Sequence, residues 1–151
     1  MVPNGKKQPA RRNLSPAPYI PVKPAKVPEN YVDVAESVMR QLSGMEQMLT
    51  TSKVRNILSM ASDIYNREKE RDGTELLPES RTGLQKMRVR LIYEAGRDAS
   101  VRIFLNRSNL LAYLKGIGTS RGDFVRFENY LEALVAYHRF FSALTRKEER
   151  K

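Results

Sequence analysis

The stretch Ser120–Phe141, SRGDFVRFENYLEALVAYHRFF, decides the fold. Phe124, Phe127, Leu131, Leu134, Val135, His138 and Phe141 recur in steps that place them on one face of a helix. Ser120, with Asp123 three residues later, resembles the capping pair that starts such a helix. Working back from it, Val101, Phe104, Leu105, Leu110, Leu111 and Leu114 continue helical spacing up to the glycine turn Gly116-Ile117-Gly118-Thr119. A helix from about Ser80 to Arg97 carries Leu84, Met87, Leu91, Ile92 and Ala95 as its expected inner face. Another, capped by Thr50 or Thr51, carries Val54, Ile57, Leu58, Ala61, Ile64 and Tyr65. The first helix begins near Tyr31, with Val34, Ala35, Val38 and Leu42 on its stripe, Asn30 as a cap and Gly44 as its end. Strand alternation is sustained nowhere, so the expected fold is all-α, a bundle of about five helices.

Seven of the eight prolines lie before residue 30: Pro3, Pro9, Pro16, Pro18, Pro21, Pro24 and Pro28. Proline at this density removes backbone donors and biases the preceding residues away from helix. Residues 1–30 are therefore expected to be a disordered basic Pro-rich tail, residues 31–145 the helical domain, and residues 146–151 a charged C-terminal end. The tail reads chiefly as a solubilising extension, with an electrostatic arm for RNA or a partner as the alternative.

The 151 residues are enough for one domain that buries a core without staples. The absence of cysteine excludes disulfides, zinc fingers, iron–sulfur clusters and thiol nucleophiles. No apolar run approaches the ~18 residues of a membrane span, and no secretory signal is legible, so a cytoplasmic location is expected. A net charge of +10 points to polyanionic partners, nucleic acid before anionic membrane. The charge is uneven. Residues 1–30 carry +5, and residues 81–107 carry another +5 within a body that is otherwise close to neutral.

Catalytic chemistry finds little support. His138 is the sole histidine and falls on the apolar face of the last helix, where a packed, hydrogen-bonded imidazole is expected. Glu94 and Asp98 lie four residues apart but are flanked by arginines, which favours ion pairing over a metal site. The glycine turn lacks the lysine and preceding strand of a phosphate loop. No catalytic residue, metal or cofactor is assigned.

Basic residues carry more information. Lys86, Arg90, Tyr93 and Arg97 share one side of a helix, a positive rod about 16 Å long at about 1.5 Å per residue. Such a rod suits a single-strand phosphate chain, though a solvated face fits the pattern equally, and Tyr93 is open to a core position. Arg88 projects nearer the apolar side, where it could pair with an acid. Lys53 and Arg55 open the second helix beside free backbone N–H groups and hydroxyls, a seat for phosphate. Arg67, Lys69 and Arg71 lie at that helix's other end, where capping of carbonyls is the alternative.

The strings Leu49–Leu58 (LTTSKVRNIL), Leu91–Arg97 (LIYEAGR) and Tyr130–Phe140 (YLEALVAYHRF), with Tyr31–Glu36 (YVDVAE) and Asn66–Arg71 (NREKER), resemble the Csm small-subunit family of type III-A CRISPR interference complexes. The resemblance runs in order over about residues 31–141 and has no counterpart for the Pro-rich tail. It implies a non-catalytic helical subunit, present in several copies, that stacks along backbone subunits holding a guide RNA. Its implied partners are those backbone and large subunits, other copies of itself, and target RNA near the guide–target duplex. Carried over residue by residue, the implied RNA contacts are Lys53 and Arg55, then Arg67, Lys69, Arg71 and Arg97, then Lys86, Arg88 and Arg90. A stand-alone basic helical nucleic-acid-binding protein and a helical adaptor are the competing readings.

Overall fold

The computed structural model describes residues 21–45 and 48–149, with side chains as far as Thr145. Among the described residues six helices follow one another: α1 (Tyr31–Ser43), α2 (Thr51–Glu68), α3 (Pro78–Arg97), α4 (Ala99–Ser108), α5 (Leu110–Gly116) and α6 (Arg121–Glu149). The bundle therefore has one helix more than the apolar spacing suggested. Asn109 adopts φ 56°, a left-handed conformation that asparagine tolerates, and it divides the expected fourth helix into α4 and α5.

α6 is the axis of the core. α1 and α2 both pack along it, α3 joins α2 to α4, and α5 bridges α3, α4 and α6. Phe124, Phe127, Tyr130, Leu131 and Leu134 are fully enclosed. Tyr130 extends the expected stripe because α6 is covered on more than one side; its hydroxyl donates to the Ser108 carbonyl at 2.8 Å, and Tyr113 meets its ring edge-on. His138 is buried, and its Nε2 donates to the Leu49 carbonyl at 2.7 Å, the packed role expected for it.

Local signals are met unevenly. The Thr50 hydroxyl caps α2 at the Lys53 amide, and the Ser120 hydroxyl accepts from the Asp123 amide at the start of α6. Asn30 precedes α1 without a side-chain cap bond. Ile92 corrects the expected inner face of α3: it is 52% exposed, one position past the buried row Leu84, Met87, Leu91 and Ala95. One residue is about 100° of helix, enough to turn a side chain from core to solvent.

Residues 21–30 were expected within the tail, but they lie against the bundle. Val27 joins the core, the Ala25 amide bonds the Ala112 carbonyl at 2.9 Å, and Lys26 pairs with Asp123 at 2.7 Å. Gly116 makes this docking possible, since a Cβ there would overlap the Ala25 carbonyl. Residues 1–20 of the expected tail, and the side chains of the expected charged end 146–151, lie outside the described residues. No helix among the described residues is long and apolar enough to cross a membrane.

Candidate nucleic-acid interface

Two ion pairs mark the two ends of the α2–α3 contact. Lys53, at the start of α2, pairs with Asp98 at the end of α3. Arg67, in the last turn of α2, meets Glu79 in the first turn of α3 at 3.9 Å. The helices are therefore antiparallel neighbours, and Gly83 lets them approach: a Cβ at that position would stand 3.1 Å from Ile64 Cδ1.

The surface between them is an open groove of about 720 Å3. Met60, Ile64 and Met87 give it an apolar floor, while Arg67, Lys86 and Arg90 line it with positive charge, partly offset by Asp63 and Glu79. Beyond Arg90 the basic edge continues to Arg97. Glu94 holds both arginines, at 3.4 Å from Arg90 and 3.9 Å from Arg97, and the Arg97 guanidinium lies 5.4 Å from the centre of the Tyr93 ring. Tyr93 is 56% exposed, so its ring belongs to the surface. Asp98 has two tasks, accepting from the Ser100 amide to start α4 and neutralising Lys53. Glu94 is thus paired by its flanking arginines, whereas Asp98 pairs instead with Lys53 of the neighbouring helix.

Sequence-derived positions separate into groups. Lys53, Arg67, Lys86, Arg90 and Arg97 come together along the α2–α3 groove and its two ends. Arg55 and Lys69 are exposed on α2 and just past its end, outside the groove lining. Arg71 is engaged elsewhere: its guanidinium clasps both oxygens of the Glu68 carboxylate, at 2.9 and 2.6 Å, and reaches the Glu75 carbonyl. Arg88 is half-buried on the other flank of α3.

Glu68 is the residue sequence reasoning passed over. It is fully buried at the end of α2, where it accepts from the Leu77 amide at 2.7 Å and from Arg71, while its own carbonyl accepts from the Arg121 guanidinium. Burial alone would raise its pKa, but the Leu77 amide and Arg71 outweigh it and hold the carboxyl below the usual range. This knot ties α2, the 69–77 connection and α6 into one frame, and so fixes the α2 end of the groove. Its one sequence signal is spacing: Glu68 follows Val54, Ile57, Ala61 and Ile64 in the same helical row, whereas the exposed Glu70 lies off it.

Among the described residues no three His, Cys, Asp or Glu side chains gather as a metal-binding group. The groove thus sets Arg67, Lys86 and Arg90 over an apolar floor, with Asp63 and Glu79 among them and the exposed Tyr93 ring beyond its end.

Residues 25–143 match the family model described as Csm2 Type III-A. The chain belongs to the Csm2 family of type III-A CRISPR systems. Curated relatives agree. The "CRISPR system Cms protein Csm2" of Streptococcus thermophilus is 39% identical over 116 residues, covering 75% of this chain and 92% of the relative. The protein of that name from Mycobacterium tuberculosis (strain CDC 1551 / Oshkosh) is 32% identical over 117 residues, with 76% and 93% covered. That of Enterococcus italicus is 31% identical over 118 residues, with 77% and 84% covered. The family match begins at residue 25, inside the segment that the structure docks on the bundle, so this Csm2 family member's domain starts earlier than the helical periodicity indicated.

Proposed function

We propose that this Csm2 small subunit acts without catalytic chemistry of its own in a type III-A effector complex, holding the target RNA backbone along the α2–α3 groove. The observation that carries the reading is the alignment of Arg67, Lys86 and Arg90 in one groove, extended by Lys53 and Arg97 through the Asp98 and Glu94 ion pairs. Guide pairing reads sequence in such complexes, so a subunit beside the duplex needs contacts to phosphate and shape, not to bases. Arginines held on paired helices provide that without base preference. The proposed partners are target RNA beside the guide–target duplex, the backbone and large subunits, and neighbouring copies of the chain, in the cytoplasm. Val89 and Ile92, exposed on α3, supply apolar surface for the protein neighbours.

The test is target capture by complexes reconstituted with Arg67, Lys86 and Arg90 replaced by Gln. Capture should weaken while guide RNA stays loaded, and the dependence of log K on log[salt] should flatten by about 0.7 for each lost phosphate contact to single-stranded RNA. A variant subunit that melts normally and captures target at wild-type affinity and salt dependence overturns the groove assignment.

A further inference from the structure

The outward face of α3 carries no charge. Thr82, Gln85, Val89, Ile92 and Gly96 recur there at alternating steps of three and four, and all five are exposed. They form a seam about 21 Å long by the helical rise. A surface helix ordinarily turns charged side chains to water on the side away from the core. Here the cations stand on the two flanks instead, Lys86 and Arg90 towards α2, Arg81 and Arg88 towards α5.

Two features of this seam are of the kind that receives another helix. A shallow hollow of about 400 Å3 lies over Thr82, Gln85, Lys86, Val89, Arg90 and Tyr93. These residues make two overlapping sets at i, i+3, i+4 and i+7, and four residues so arranged form the hole into which one side chain of a facing helix inserts. The second feature is Gly96. Its φ is not positive, so no turn requires glycine, and among the described residues nothing stands within 4 Å of where its Cβ would be. Gly83 and Gly116, by contrast, admit Ile64 and Ala25. A helical glycine forgoes stability relative to alanine, and no contact among the described residues offsets that loss at Gly96. A close approach by an outside backbone would.

We propose that the seam from Thr82 to Gly96 docks one α-helix of another subunit of the type III-A effector complex, a helix with apolar residues along its own seam and acidic side chains on the flank facing Arg81 and Arg88. Charge selects that occupant. Among the described residues Arg81 and Arg88 form no ion pair, whereas Arg90 and Arg97 on the groove side share Glu94. A second copy of α3 laid on this seam would bring like charges together. RNA fits the flanks but not the seam, since Val89 and Ile92 offer neither a cation for phosphate nor a ring for a base. The inference rests on the reading of Val89 and Ile92 as surface for protein neighbours, which it sharpens to one helix of stated charge. It does not require the α2–α3 groove to hold RNA.

Complexes reconstituted with guide RNA and without target test it, because the groove's proposed ligand is then absent. Val89, 69% exposed, is the site for the probe. With p-benzoylphenylalanine in its place, ultraviolet light should cross-link the chain to one helical segment of another subunit, with Asp or Glu beside that segment's apolar residues. An adduct confined to RNA or to a second copy of the chain, or no adduct, overturns the proposal. Gly96→Ala should raise the melting temperature of the free chain by about 2–4 °C and yet weaken its incorporation about tenfold. Unchanged incorporation overturns the proposal, and so does a lowered melting temperature, which would give Gly96 an internal role. Arg81→Glu should weaken incorporation too, and a variant that assembles normally refutes the acidic flank. The Arg67, Lys86 and Arg90 variant should assemble as the wild type does, which separates failure of the groove from failure of the seam.

Discussion

Two regions of this molecule set arginine beside glutamate and use the pair in opposite ways. At the end of α2, Glu68 is fully enclosed and Arg71 and Arg121 bind it from both sides, its carboxylate and its carbonyl. On α3, Glu94 lies between Arg90 and Arg97, whose side chains are 63% and 64% exposed. Residue types and helical spacing are nearly the same. Burial makes the difference. A carboxylate removed from water must keep its partners, whereas exposed pairs are worth little and can exchange one anion for another. The first region is therefore frame, and the second is surface available to a ligand.

The sharpest way to break that comparison is Glu68→Ala. Removing one partner of a buried charged network costs about 3–5 kcal/mol, so the melting temperature should fall steeply. A shift as small as that of an exposed substitution would show that the knot holds nothing together. Next in size, Gly116→Ala forces a Cβ into the Ala25 carbonyl. Destabilisation of about 1–3 kcal/mol is expected, together with faster amide exchange across residues 22–30 as the segment lifts from the bundle. Retained protection at Ala25 would refute the close approach.

Buried Glu128 sharpens the comparison from the other side, since it is enclosed without a cation. Burial, with Glu132 as the nearest like charge, pushes its pKa up to about 7, and its Oε2 has no hydrogen-bond partner among the described residues. The neutral form is the one the fold favours. Its contribution to stability is present below the unfolded value near 4.5 and is lost as pH rises through about 7. Glu68 has the opposite sign: its contribution is present above 4.5 and is lost as the pH falls through its lowered folded pKa. Thermal melts should thus decline on both sides of a mildly acidic optimum. Glu128→Gln should remove the alkaline decline and leave the acid limb intact; an unchanged alkaline limb would contradict the assignment. The smallest stability effect is expected for Arg90→Ala with Arg97→Ala, about 0.5 kcal/mol or less, since both heads are in solvent. A large loss there would make Glu94 a second frame and erase the distinction.

Helix existence, the apolar stripes and the caps at Thr50 and Ser120 were legible because they depend on neighbours within a few residues. So was the basic run on α3, and the packed fate of His138. Ile92 was misplaced and Tyr130 left out of the stripe because a single stripe describes a helix covered on one side, but α6 is covered on several and α3 on a narrower arc. The groove was half legible. Spacing put Lys86, Arg90 and Arg97 on one side, but nothing local could say that α2 would lie antiparallel beside them.

The sequence by itself determined the class of fold and the sign and place of the charge, since each follows from residue type and short-range periodicity, while particular strings such as LIYEAGR carried the resemblance to the family. Tertiary structure decided which arginine faces which acid. Arg71 and Arg67 are one helical turn apart in sequence, yet one meets a buried carboxylate and the other opens onto a groove. It also decided that residues 21–30 are domain, through the gap that Gly116 leaves for Ala25. These outcomes rest on contacts between segments up to 97 residues apart, as for Lys26 with Asp123. The energy of such contacts depends on burial, which no window along the chain contains.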